Sequence, residues 1–141
     1  MKKIFLFVIC LFVIAACSKK EVPFEAFSAE AFAFDLGDGT SEVNATVRVK
    51  GFTQLKDGEN YSAAVSYSVD LIKPDSTIWN DVFKFIREAK EQEPINDIPL
   101  DAQFSLDSTY QSGNYTLIYK ISDKNSDNKL EVKVNFDLLW E

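Results

Sequence analysis

Three oxygen-bearing side chains recur at every second position in a polar stretch near the carboxyl end of the chain. They are Asp123, Asn125 and Asp127, and calcium loops use this spacing to place oxygen ligands around a hard cation. The EF-hand loop also needs glycine at its sixth position and glutamate at its twelfth, where this chain has Asn128 and Val134. We therefore interpret the stretch as a turn between two strands and assign no metal, with calcium-dependent ligand binding as the alternative.

A second acidic loop surrounds two glycines earlier in the chain. Asp35, Asp38 and Glu42 lie beside Gly37 and Gly39, and we interpret this stretch too as a solvated turn, with a cation loop as the alternative. Two carboxylates facing each other across a cleft could hydrolyse a glycosidic bond, but nothing in the sequence selects such a pair. We assign no catalytic residue, and a small carboxylate-based hydrolase or an enzyme inhibitor remains a further alternative.

The chain contains no histidine. Histidine is the usual acid–base group near neutral pH and the commonest metal ligand, so Ser-His-Asp and Cys-His catalysis and ordinary zinc chemistry are excluded. The formal net charge of −7 also argues against a phosphate-binding surface. We therefore expect a protein that is not an enzyme, has no cofactor and does not bind nucleic acid.

The amino-terminal segment has the layout of an export signal. Lys2 and Lys3 precede an apolar run over 4–14, and Ala15 and Ala16 then lead to Cys17. This segment resembles the signal peptide and lipobox of bacterial lipoproteins. The resemblance implies cleavage after Ala16 and lipidation of Cys17, which gives a signal peptide over 1–16, a lipidated tether over 17–23 and a domain over 24–141.

The apolar run is too short for a transmembrane helix, because crossing the hydrocarbon core takes about twenty residues and this run has about a dozen. Two or more acyl chains are enough for stable anchorage. Ser18 stands where the enteric sorting rule places a retaining aspartate, so the resemblance implies the outer membrane. The residues over 18–21 are mostly basic rather than an acidic surface-export signal, and we expect the protein to face the periplasm.

Alternating apolar and polar residues dominate the rest of the chain. Such a period of two is typical of strands with one buried face, and strands at this spacing without intervening helices favour an antiparallel sandwich or barrel. A bulge or a switch of sheets is predicted near 26–28, where the first strand loses its phase. The predicted strands cover 32–36, 43–49, 61–71, 100–106, 115–121 and 130–138.

One segment fits two structures. Apolar residues at 78, 82, 85, 86 and 89 match a helical face, whereas Val82-Phe83-Lys84-Phe85-Ile86 also alternates as a strand. The surrounding strands favour a seventh strand here, followed by an exposed loop over 87–93, and a short helix over 78–90 is the alternative.

The pattern as a whole is similar to the immunoglobulin-like β-sandwiches. Gly113-Asn114-Tyr115 before the penultimate strand resembles their tyrosine corner, in which the tyrosine hydroxyl bonds to backbone a few residues upstream. We therefore predict an all-β, antiparallel immunoglobulin-like sandwich of about seven strands.

Two tryptophans could contact a partner, because exposed tryptophan is favoured in binding surfaces. Trp79 lies in the ambiguous segment and Trp140 at the carboxyl end, and we favour packing on a sheet edge or over the core for both, with a binding role as the alternative. The sequence predicts a lipid-anchored binding or structural accessory protein whose partners are the membrane and an envelope protein or glycan.

Overall fold

The computed structural model describes residues 20–141, and all of its regular secondary structure is antiparallel β-strand. The eight strands are β1 (Glu25–Asp35), β2 (Thr40–Lys50), β3 (Leu55–Asp57), β4 (Asn60–Ile72), β5 (Ile78–Glu91), β6 (Ile98–Asp107), β7 (Gly113–Asp123) and β8 (Lys129–Leu138). No helix in this part of the chain is long and apolar enough to cross a membrane.

The strands form two sheets that share one hydrophobic core. One sheet has the order β1-β2-β6, and the other contains β3, β4, β5, β7 and β8. β4 is central in the second sheet, with β5 along one side and β7, followed by β8, along the other. The predicted all-β antiparallel class is confirmed.

The core follows from the alternation in the sequence. In β2, each second residue from Val43 to Val49 is buried, and each second residue from Val65 to Leu71 in β4 faces it from the other sheet. Tyr115 in β7 is also buried. Its hydroxyl donates a hydrogen bond to the backbone oxygen of Gln111 at 2.7 Å, which confirms the predicted contact.

Residues 78–91 form the strand β5, so the helix considered over 78–90 is wrong. The backbone groups of this segment pair with β4, from Ile72 opposite Ile78 to Tyr61 opposite Glu91. The pairing continues through most of the loop predicted over 87–93, which is therefore also a correction. The helical spacing of apolar residues arises because β5 is an edge strand with both faces largely exposed.

The eighth strand is β3, a three-residue segment that has no alternating pattern in the sequence. It pairs with the first residues of β4 across a turn containing Gly58, and all three residues are exposed. In constant-type immunoglobulin domains four strands form one sheet and three the other. Here the strand after β4 pairs with β4 rather than with β6, and the immunoglobulin-like assignment stays a prediction.

The chain enters β1 through a close contact with the end of β2. Gly51 has φ +76°, and a Cβ there would lie 2.0 Å from the backbone oxygen of Pro23, so only glycine fits. The predicted bulge in β1 is confirmed, because the register with β2 shifts between Phe27 and Glu30 and Ser28 has φ +52°.

Residues 1–19 lie outside the described residues. They include the predicted signal peptide, Cys17 and the first residues of the predicted tether.

Candidate functional site

The carboxylate of Asp123, the first residue of the candidate calcium loop, serves as a buried hydrogen-bond acceptor. It lies at the end of β7 and is 4% exposed. Its oxygens accept hydrogen bonds from the backbone N–H groups of Thr53 at 2.7 Å and Asn125 at 3.0 Å, and from the Ser126 hydroxyl at 2.7 Å. Burial raises its pKa, but these hydrogen bonds outweigh burial and hold the pKa below its ordinary value.

The other two candidate ligands do not converge with Asp123 on a common point. The Asn125 side chain donates to the backbone oxygen of Thr53 at 3.1 Å, whereas Asp127 is exposed. Among residues 20–141 no three acidic or other metal-binding side chains form a group that could hold an ion. This geometry supports a structural role for the loop, which ties the β7–β8 turn to the chain after β2.

The second acidic loop is likewise a set of local turn contacts. Asp35 accepts a hydrogen bond from the N–H of Gly37 at 2.8 Å, and Asp38 accepts one from the N–H of Thr40 at 3.0 Å. Glu42 instead pairs with the side chain of Asn44 at 2.9 Å. Asp35 and Asp38 therefore hold the β1–β2 connection, whereas Glu42 makes its contact within β2.

Both tryptophans pack against Tyr110 in the connection between β6 and β7. The Trp140 indole N–H donates to the Tyr110 backbone oxygen at 2.7 Å. Trp79 stacks on the Tyr110 ring with centroids 6.3 Å apart, and it is 42% exposed. These contacts fit the favoured interpretation, in which both tryptophans pack on an edge of the sandwich.

A cleft of about 490 Å³ lies where the two sheets meet beside β5 and β6. We call it the β5 cleft. One wall comes from β4 and β5, and the other comes from β1, β2 and β6. Its lining residues are Glu30, Phe32, Asn44, Ala45, Thr46, Tyr67, Phe83, Phe85, Arg87, Pro99, Asp101, Ala102 and Gln103.

Pairing with β4 determines which β5 side chains enter the cleft. Phe83, Phe85 and Arg87 lie opposite inward-facing β4 residues, so they project on the inner side of their sheet. The other sheet ends at β6 and has only three strands. As a result Phe85 remains 51% exposed, although its position in the ladder corresponds to a core position.

Tyr67 connects the two walls at the base of the cleft. Its hydroxyl donates to the backbone oxygen of Asp101 in β6 at 2.5 Å, and its ring contacts Phe83 and Phe85 with centroids 6.0 and 6.4 Å apart. Burial, followed by the charge of Asp101, raises the pKa of Tyr67 to about 12. The hydroxyl is therefore protonated at neutral pH and holds β6 against β4.

Polar groups surround this aromatic surface. The carboxylate of Asp101 accepts a hydrogen bond from the Thr46 hydroxyl at 2.8 Å, and the exposed Arg87 and Gln103 contribute a guanidinium group and an amide. Ligand sites combine apolar walls with a few convergent polar groups in this way. The cleft can bind through stacking and hydrogen bonds.

The sequence patterns do not predict this cleft. They favour a strand over a helix in this segment, but they place Arg87 in a loop and indicate no role for Asp101. The available signal was the alternation Phe83-Lys84-Phe85, which puts two phenylalanines on one face of a strand. The cleft also requires that β6 be the last strand of its sheet, opposite these phenylalanines. Alternation along one strand does not reveal the order of the strands.

Comparison with known proteins identifies no family. No protein-family profile matches the chain, and neither does any curated protein. Solved structures show a weak likeness. A protein assigned as ApaA from Bordetella pertussis is 12% identical, with a TM-score of 0.39 over 82% of this chain and 94% of that chain.

The N-terminal domain of PorA is also 12% identical, with a TM-score of 0.38 over 76% of this chain and 83% of that chain. A protein from Archaeoglobus fulgidus is 10% identical, with a TM-score of 0.37 over 83% and 98%. At these TM-scores the likeness carries no argument about function.

Proposed function

We propose that this chain is a lipid-anchored, non-enzymatic accessory protein of the cell envelope that binds its partner through the β5 cleft. The observation that carries the proposal is the aromatic surface of the cleft. Phe32 on one wall and Phe85 on the other are 60% and 51% exposed, and both line the same depression. Exposed apolar residues that cluster, unlike scattered ones, mark interaction sites.

The chemistry of the cleft agrees with a binding role. Its groups are aromatic rings, amides, one guanidinium and carboxylates, which suit an envelope protein or a glycan with both apolar and hydrogen-bonding surfaces. The acidic chain does not suit a polyphosphate partner. A lipid anchor at Cys17 would add to this function, because confinement to a surface raises the effective concentration of the cleft near its partner.

The chain offers a matched pair of variants for the cleft. Phe32 and Phe34 are neighbours on the same face of β1 and are 60% and 61% exposed, but only Phe32 lines the cleft. We expect Phe32→Ser to lower the amount of purified chain retained on washed envelopes several-fold, and Phe34→Ser to leave it unchanged. Equal retention of both variants would exclude the cleft as the binding surface.

The anchor is tested separately. Cys17→Ala should abolish labelling with palmitate and move the protein from the membrane to the soluble fraction. The Phe34→Ser variant serves as a control, which should remain labelled and membrane-bound. Unchanged labelling and fractionation of Cys17→Ala would remove the anchor from the proposal without affecting the cleft.

A further inference from the structure

The outer edge of β5 is a long strand edge with which no other strand of residues 20–141 pairs. β5 pairs with β4 along one side only, so backbone N–H and C=O groups on its other side have no ladder partner. Phe85 and Ile86 are 51% and 52% exposed. Such an edge is a template for pairing with a further strand.

The charges of β5 are complementary to β5 itself in an antiparallel pair. If Ile86 lies opposite Ile86 of a second copy, Lys84 falls opposite Glu88, and Phe85 falls opposite Arg87. Opposite charges and aromatic pairs directly across from each other stabilise a sheet, and a guanidinium over an aromatic ring adds a cation–π contact. Twofold symmetry makes each of these pairs occur twice.

Two other symmetric registers place like charges opposite each other. Moving the centre two residues one way, to Lys84, places two lysines opposite each other. Centring on Arg87 opposes two arginines and also Lys84 to Lys90. Like charges directly across from each other are destabilising. The charges on β5 therefore favour the register centred on Ile86 over these two.

The bulge in β5 sets the length of this pairing. The register with β4 shifts between Val69 and Leu71, and Asp81 has φ +53°. The Asp81 N–H donates to the buried carboxylate of Asp70 at 2.9 Å, and Lys120 lies 2.6 Å from the other Asp70 oxygen. The ladder of β5 with β4 is regular from Phe83 to Glu91, and this stretch contains Ile86 together with Lys84 and Glu88, which pair across the proposed axis.

We propose that two copies of this chain associate through β5, antiparallel and with Ile86 on the twofold axis. The association extends the larger sheet across both copies. A twofold axis perpendicular to the sheet keeps the inner faces on one side, so both β5 cleft openings lie on that side. The proposal depends on the β5 edge and its charges, and it holds whether or not the cleft binds a partner.

The test uses a disulfide at the twofold axis in the full chain. Directly opposite residues in an antiparallel pair have Cα atoms about 4.5–5.5 Å apart, within disulfide range. Ile86→Cys should therefore give a disulfide-linked dimer under mild oxidation of membranes. Lys90→Cys is the matched control, because the two copies of residue 90 would be roughly 27 Å apart at about 3.4 Å per residue.

The unsubstituted chain measures background from Cys10 and Cys17. Cross-linking of Ile86→Cys well above both controls supports the dimer. Cross-linking no greater than in Lys90→Cys, or than in the unsubstituted chain, overturns it.

The register is tested by reversing charges in the Ile86→Cys chain. Lys84→Glu and Glu88→Lys should each reduce cross-linking several-fold, because each places like charges opposite each other. Combining both substitutions should restore cross-linking to near its original level. If the combination fails to restore it, the proposed register is overturned.

Discussion

The rings of Tyr67 and Tyr119 stack in the core with centroids 6.0 Å apart and planes inclined by 14°, but their hydroxyls have different environments. Tyr67 donates to the backbone oxygen of Asp101. Within the described residues, the buried Tyr119 hydroxyl has no hydrogen-bond partner. Replacing each tyrosine by phenylalanine therefore compares the loss of a hydrogen-bonded buried hydroxyl with the loss of a buried hydroxyl that has no partner.

Tyr67→Phe should lower the free energy of unfolding by about 1 kcal/mol, because it removes a hydrogen bond between the two sheets. Tyr119→Phe should leave the free energy unchanged or raise it by about 1 kcal/mol, because a buried polar group without a partner is itself costly. Urea unfolding of a chain beginning at residue 20, which contains all eight strands, measures both. Equal losses for the two variants would contradict this account.

The same tyrosines predict a loss of stability at alkaline pH. Burial raises the pKa of Tyr67 to about 12 and raises the pKa of Tyr119, whereas an unfolded tyrosine ionises near pH 10. The unfolded state therefore releases protons first, and the stability present below about pH 10 declines as pH rises toward 12. Unfolding free energies across this range should fall less steeply in the Tyr67→Phe/Tyr119→Phe double variant, and parallel curves would contradict the prediction.

Asp123→Asn should lower the free energy of unfolding by about 1.5–3 kcal/mol, the usual range for hydrogen bonds to a charged group. The substitution removes the charge that accepts bonds from Thr53, Asn125 and Ser126. Asp127→Asn is the exposed control in the same loop and should change the free energy by less than about 0.5 kcal/mol.

The lowered pKa of Asp123 also predicts in which direction the stability of the fold changes at acid pH. Its contribution is present above about pH 4 and declines as pH falls through the folded-state pKa. Urea midpoints at pH 7 and pH 3 should therefore differ less for Asp123→Asn than for the unsubstituted chain.

Millimolar calcium should not raise the thermal unfolding midpoint of either chain, and a clear rise would restore the calcium-binding alternative.

The sequence predicted those parts of the fold in which one face is buried. Alternation from Val43 to Val49 and from Tyr61 to Leu71 marked β2 and β4, because burial on one side of a strand selects apolar residues at every second position. The tyrosine motif ending at Tyr115 also predicted its bond to a nearby backbone oxygen.

The edge strands were harder to predict for a physical reason. β5 buries neither face well, so its apolar residues fit a helix and a strand equally, and only its ladder with β4 decides between them. The three exposed residues of β3 carry no alternation for the same reason. The candidate calcium loop was ambiguous because Thr53, which donates to Asp123, lies seventy residues away.

Site-specific photo-cross-linking in intact cells tests the β5 cleft most directly. Gln103 and Ser105 are exposed and lie on the same face of β6, but only Gln103 lines the cleft. A photoreactive residue at position 103 should give a discrete adduct of higher mass, and one at position 105 should give little or none. Adducts of equal yield at the two positions, or none at position 103, would contradict the proposal that this chain binds its partner through the cleft.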